Sequence, residues 1–133
     1  MFTGSCLCGS IQFHIHCDLP AVQICHCRQC QKAQGVPFAS NIPVNADAFE
    51  LVKGEDRLKE FVSTTVEGKS RHFCGKCGSP IYSTKADRSV FRVRAGIINE
   101  KIGCQISSHA YVDNQLEWCD TKDDAPRYPQ ARQ

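Results

Sequence analysis

Residues 72–80 read His-Phe-Cys-Gly-Lys-Cys-Gly-Ser-Pro, and the Cys74-Gly75-Lys76-Cys77-Gly78 centre of that stretch decides the fold. Two thiolates three residues apart converge on one ion. The flanking glycines free the backbone for a tight turn whose amides donate to the sulfurs. A zinc knuckle of this form supplies two ligands, whereas a tetrahedral ion takes four, so a second pair is required. Cys6-Leu7-Cys8-Gly9 is the best candidate. Joining residues 6 and 8 to residues 74 and 77 closes a loop of more than half the chain, and structural zinc of this kind contributes on the order of 10 kcal/mol of apparent folding free energy. Four thiolates leave no coordination position for a substrate, so Cys6, Cys8, Cys74 and Cys77 are read as a structural zinc site.

A third group, Cys25-His26-Cys27-Arg28-Gln29-Cys30, differs because three thiolates crowd six residues with no fourth partner nearby in sequence. Cys25 and Cys27 share a face of an extended segment, and Cys27 and Cys30 share a face of a helical turn, so all three can point inward together. His26 is expected to point away. Three protein ligands and a free position form the pattern of catalytic zinc. The alternative is that Cys104, Cys119 or His109 closes the group as a second structural site. With ten cysteines in the chain, spacing separates metal binding from disulfides. A disulfide framework spreads its cysteines to close substantial loops, whereas seven of these ten sit in three tight groups. The isolated Cys17, Cys104 and Cys119 are read as small core hydrophobes. His14, His16, His72 and His109 have no partner motif and are read as structural.

Around these groups the chain reads as short strands. Ile11, Phe13 and Ile15 alternate with polar residues over Ser10–His16, the period of a half-buried strand. Ala21–Cys25 follows Pro20, and Arg28–Gln34 is a short helix ending at Gly35, a suitable C′ residue. Further strands are expected in Phe38–Val44, Phe49–Val52, Leu58–Ser63, Ser70–Phe73, Ile81–Ser83 and Val90–Ala95, separated by Gly, Pro, Asn and Asp turn signals. The rhythm is mainly antiparallel β. In the last of these strands Phe91, Val93 and Ala95 share one face, and Arg92 and Arg94 share the other as a carboxylate-binding or simply solvated surface. From Lys122 on, the polar, proline-containing tail is expected to be held loosely or by one or two anchors.

A chain of 133 residues suits a single domain over 1–133. Its net charge of +2, with both signs interspersed, argues against a nucleic-acid partner. No leader pattern opens the chain and no stretch approaches the ~20 apolar residues of a membrane span, so a cytoplasmic protein is expected, with no membrane partner and no indication of oligomeric state.

The segments GSCLCGSIQF, CHCRQCQKAQGVPF and RHFCGKCGSPIY, in that order, resemble the glutathione-dependent formaldehyde-activating enzyme family, which includes centromere-protein-V-like members. The stretch SSHAYVDNQLEWCDTKDDAPRYP is similar to that family's C-terminal pattern. The resemblance implies an Mss4-like fold of folded antiparallel sheets with zinc knuckles and one or two short helices. It implies two Zn2+ sites, a structural one at Cys6, Cys8, Cys74 and Cys77 and a catalytic one at Cys25, Cys27 and Cys30. It also implies a carbon-sulfur lyase that forms or cleaves a thiol-aldehyde adduct such as S-hydroxymethylglutathione, with glutathione as co-substrate. Glutathione brings two carboxylates, for which Arg28, Arg92, Arg94 and Lys32 are the candidate contacts. The competing function is a non-catalytic, zinc-stabilised binding module with two structural zincs.

Overall fold

The computed structural model describes all 133 residues. The strands are β1 (Phe2–Ser5), β2 (Gln12–Ile15), β3 (Val22–Cys25), β4 (Ala39–Asn45), β5 (Phe49–Lys53), β6 (Leu58–Val62), β7 (Ser70–Cys74), β8 (Pro80–Thr84), β9 (Val90–Arg94) and β10 (Ile106–Ala110). One α-helix, α1 (Arg28–Gln34), accompanies four single turns of 3-10 helix. A three-stranded sheet has the order β1-β2-β5, and a seven-stranded sheet the order β10-β3-β4-β9-β8-β7-β6. Every neighbouring pair is antiparallel except β10 with β3. The mainly antiparallel β architecture expected from the strand rhythm is therefore present, in two sheets of the kind that the family resemblance implies. No helix is long and apolar enough to cross a membrane.

Alternation along each strand gives the large sheet two different faces. The register sets His72 opposite Tyr82, Tyr82 opposite Val93 and Val93 opposite Ile42, so these side chains share the face turned to the small sheet. There Ile11, Phe13 and Ile15 of the β2 region are fully buried. Phe13 stacks on Phe49 at 4.8 Å between ring centroids, Phe49 meets Tyr82 and Phe91 edge-on at 5.3 and 5.2 Å, and Tyr82 stacks on Phe91 at 4.1 Å. Burying each such side chain is worth ~1.5–3 kcal/mol, and the aromatic geometry adds to that. Gly4 on β1 sits against this cluster, because a Cβ there would come within 2.1 Å of the Phe13 ring.

The opposite face of the large sheet is polar. Arg71 pairs with Ser83, Ser83 with Arg92, Arg94 with Asn41 and Asn41 with Gln23, and Cys25 lies two residues beyond Gln23. This row is not a solvated surface. Arg94, Asn41 and Ser83 are buried, and Cys25, Arg71 and Arg92 are half-buried. The helix α1 starts where β3 ends, so it carries Cys30 back over the same edge of the sheet.

Two features depart from the sequence reading. β1 was not among the expected strands and β10 follows only from the His-aromatic strand that the family resemblance implies, since Phe2–Ser5 and Ile106–Ala110 carry few apolar residues and owe their extension to pairing with β2 and β3. The C-terminal tail is also bound along its length rather than loosely. His109 N–H donates to Pro126 O, Tyr128 N–H to His109 O, Tyr111 N–H to Gln130 O and Val112 N–H to Tyr128 O. Arg132 then reaches back to Ser108 Oγ at 2.5 Å and Ile24 O at 2.7 Å. A polar sequence stays ordered here because its backbone groups find strand-like partners on β10.

Candidate functional site: two cysteine clusters and a basic cavity

Two turns build the first cluster. In the β1–β2 connection, Gly9 N–H donates to Cys6 O and Ile11 N–H to Cys6 Sγ at 3.3 Å. In the β7–β8 connection, Gly78 N–H donates to Cys74 O and Cys77 N–H to Cys74 Sγ at 3.5 Å. Gly78 takes φ +82°, the left-handed conformation that the turn requires and that a β-carbon opposes. The Sγ atoms of Cys6 and Cys8 are 3.6 Å apart and those of Cys8 and Cys74 3.8 Å apart. With a metal–sulfur distance of ~2.3 Å, the edge of a zinc tetrahedron is about 3.8 Å. The donor atoms of Cys6, Cys8, Cys74 and Cys77 all lie within 4.8 Å of one another, so this set fits one zinc ion. Ser79 beside Cys77 holds that thiol down to about 5, and Ser10 beside Cys8 lowers its thiol as well, whereas burial pushes Cys6 up.

The second cluster is Cys25 at the end of β3, Cys27 at the N-cap of α1 and Cys30 within α1. Its donor atoms again lie within 4.8 Å of one another, with Cys25 and Cys30 Sγ 3.6 Å apart. Cys30 N–H donates to Cys27 Sγ at 3.3 Å, which caps the helix and orients the sulfur together. No fourth His, Cys, Asp or Glu joins the group. Cys104 instead packs beside the apolar core, and Cys119 sits in a turn where its N–H donates to Leu116 O and its carbonyl accepts from Gln115. Cys17 also lies against the core, as expected of an isolated cysteine.

His109 is committed elsewhere. Its Nε2 lies 2.8 Å from Asp123, and its Nδ1 lies 2.9 Å from His26 Nε2. His26 does turn away from the sulfurs, into the core beside Phe38, and burial holds its imidazole down to about 4. Protons that satisfy this chain run from His26 Nε2–H to His109 Nδ1 and from His109 Nε2–H to the carboxylate. That leaves His26 Nδ1, buried without a partner, as a bare lone pair rather than a stranded N–H donor. The chain Asp123-His109-His26 therefore ties the tail and β10 to the backbone between Cys25 and Cys27.

Basic groups surround the second cluster. Arg71 Nη2 lies 3.9 Å from Cys30 Sγ. Arg94 Nη1 donates to Asn41 Oδ1 at 2.5 Å, and burial lowers that guanidinium to about 10. Burial likewise lowers Lys69, against the attraction of Cys30. Cys30 is held well below an ordinary thiol by its sulfur neighbours Cys25 and Cys27, with Lys69 and Arg71 adding to the effect, while Cys25 is driven up by sharing protons with Cys27 and Cys30. Such a ring of cations offsets the excess negative charge of three thiolates around a divalent ion, so the donor set and its surroundings fit zinc with a position to spare.

A cavity of about 630 Å³ opens beside this ring, floored by Arg71 and Arg94 and walled by Gln29, Lys32, Phe61 and Thr65. Arg71 Nη1 and Arg94 Nε are buried without a hydrogen-bond partner in the protein, and both guanidinium-bearing residues belong to the lining, which makes the cavity basic and suited to an anion. Of the residues expected to meet carboxylates, Arg94 and Lys32 line this cavity. Arg28 lies on the exposed side of α1 bonded to Gln31 Oε1 at 2.5 Å, and Arg92 is half-buried outside the lining. Sequence reading passed over Lys69 and Arg71, because nothing in the order of residues places β7 next to α1.

A crystal structure of a Rhodobacter sphaeroides protein superposes on this chain with a TM-score of 0.61, covering 94% of this chain and 98% of the other at 18% sequence identity. That likeness speaks for the fold. No curated protein matches the chain. The description of the glutathione-dependent formaldehyde-activating enzyme family matches residues 1–114, a span that contains both cysteine clusters and the basic cavity. The chain belongs to the glutathione-dependent formaldehyde-activating enzyme family.

Proposed function

We propose that the chain is a zinc-dependent carbon-sulfur lyase that forms or cleaves a thiol-aldehyde adduct of the S-hydroxymethylglutathione type. It acts as one domain over 1–133, in a reducing compartment such as the cytoplasm, where its ten cysteines stay out of disulfides. The observation that carries the reading is the three-cysteine cluster with no fourth protein ligand, set against a cavity lined by Arg71 and Arg94. Cys6, Cys8, Cys74 and Cys77 hold the structural ion, and Cys25, Cys27 and Cys30 the reactive one. Zinc bound at the second cluster supplies Lewis acidity and favours the thiolate form of a nearby thiol.

The protein's own groups do the remainder. Arg71 and Arg94 bind glutathione carboxylate or peptide oxygens from the cavity floor, and Lys32 meets the second carboxylate at the rim. That anchoring holds the cysteine sulfur of glutathione near the cluster and converts encounter with formaldehyde into a reaction at fixed geometry. In the forward direction the thiol sulfur adds to the carbonyl carbon. The C–S bond forms, the C=O π bond breaks, and the thiol proton ends on the former carbonyl oxygen. The Asp123-His109-His26 chain keeps the backbone between Cys25 and Cys27 in place throughout.

The test is exchange spectroscopy on 13C-formaldehyde and glutathione. The zinc-loaded chain accelerates exchange between free and adduct carbon above the uncatalysed rate, and a folded Cys27→Ser variant does not. A wild type that leaves exchange at the uncatalysed rate overturns the proposal in favour of a binding module.

A further inference from the structure

The cysteine clusters leave unused a third convergence of ligands, on the outer face of the small sheet. Phe13 and Ile15 commit one face of β2 to the core, so His14 and His16 must project from the other. The β2–β5 register sets Glu50 directly opposite His14 and diagonal to His16. His16 Nε2 lies 2.7 Å and His14 Nδ1 3.7 Å from the same oxygen, Glu50 Oε1, and the two rings meet edge-on at 5.9 Å between centroids. The three donor atoms all lie within 4.8 Å of one another.

A simple ion pair accounts for His16 with Glu50 but not for a second imidazole aimed at the same oxygen. A cation accounts for all three. Ligands held ~2.1 Å from a tetrahedral ion are about 3.4 Å apart, a value between the two observed separations, so small side-chain rotations complete the geometry. Two imidazoles and one carboxylate select borderline divalent ions such as Zn2+ and Ni2+ over Mg2+ or Ca2+, and no cysteine belongs to the group. The side chains of His14, His16 and Glu50 are 33%, 48% and 57% exposed, so an ion enters from solvent and keeps water in its remaining positions.

We propose that His14, His16 and Glu50 form a third, exchangeable binding site for a borderline divalent metal ion. An ion there crosslinks β2 to β5. The site stands on residues that the proposed lyase reaction does not use.

The experiment is calorimetric titration of Ni2+ at pH 7.5 into protein already loaded with zinc at the cysteines, with a zinc indicator reporting any displaced zinc. One saturating Ni2+ per chain without zinc release is expected. His14→Ala and His16→Ala each remove one ligand of three and weaken it by about tenfold or more, and Glu50→Gln, which keeps a neutral oxygen, weakens it by a smaller factor. All three positions are solvent-facing, and an unchanged circular dichroism spectrum with full zinc content verifies each fold. No saturable Ni2+ binding in wild type, binding only as zinc leaves, or equal binding by the histidine variants each overturns the site.

Discussion

The two cysteine clusters use the same donor atom and nearly the same spacing, with Sγ separations of 3.6 and 3.8 Å in the first and 3.6 Å in the second. They differ in what surrounds them. The four-cysteine cluster joins two glycine-containing turns from strands far apart in sequence, and its sulfurs bond to backbone amides and serine hydroxyls. The three-cysteine cluster is local in sequence, and its neighbours are Lys69, Arg71 and Arg94 from the far side of the large sheet. A closed set of four thiolates with neutral hydrogen-bond partners suits a structural ion. An open set ringed with cations and facing a cavity is arranged to receive an anion.

The largest effect should come from opening the closed cluster. Cys74→Ser removes a ligand that joins two distant segments, and loss of a structural ion worth about 10 kcal/mol exceeds the stability of most domains. The variant is expected to be insoluble or unfolded, as far-ultraviolet circular dichroism and limited proteolysis would report. A folded Cys74→Ser chain that still carried full zinc would erase the distinction between the clusters.

Next comes Cys27→Ser. Its zinc content should fall by one ion while the chain stays folded, and adduct exchange should drop by at least about a thousandfold, the order expected when a Lewis acid worth several kcal/mol is lost. Inductively coupled plasma analysis and carbon exchange measured on one sample would decide the matter.

Arg71→Ala sharpens the comparison without touching a ligand. Charge-assisted hydrogen bonds are worth ~1.5–3 kcal/mol, so KM for glutathione should rise by about 10- to 100-fold with zinc content unchanged. A fall in zinc with KM unmoved would make Arg71 a brace for the cluster and not a substrate contact.

The smallest effect concerns the tail. His109 holds the Asp123 carboxyl below its ordinary value of 3.8, so the folded chain releases that proton more readily than the unfolded chain does. The interaction therefore stabilises the fold fully above pH 3.8 and is lost as pH falls through the lower, folded value. Asp123→Asn should unfold at lower urea than wild type at neutral pH, by a margin that stays level down to pH 3.8 and shrinks below it. A margin independent of pH throughout would remove the carboxylate from the argument.

Much of this molecule can be read without coordinates. The alternation in Ser10–His16, the helix from Arg28 to Gln34 closed by Gly35 at φ +65°, and the pairing of CxC with CxxC are local or metal-driven patterns. Residue order suffices for these because strand period, helix capping and the ligand demand of one ion act over short distances or through a fixed donor count. The strands β1 and β10 carry no such signal, since their extension comes from the partners they pair with. Long-range neighbours are equally silent in sequence. Arg71 reaches Cys30, Asp123 reaches His109, and Glu50 faces His14 and His16 only because sheet order and register bring strands distant in the chain side by side. The residues alone settle which side chains can bind metal and how short segments turn. Tertiary structure decides which cations face which sulfurs, because that depends on non-local pairings whose closure entropy is repaid only when the whole sheet assembles.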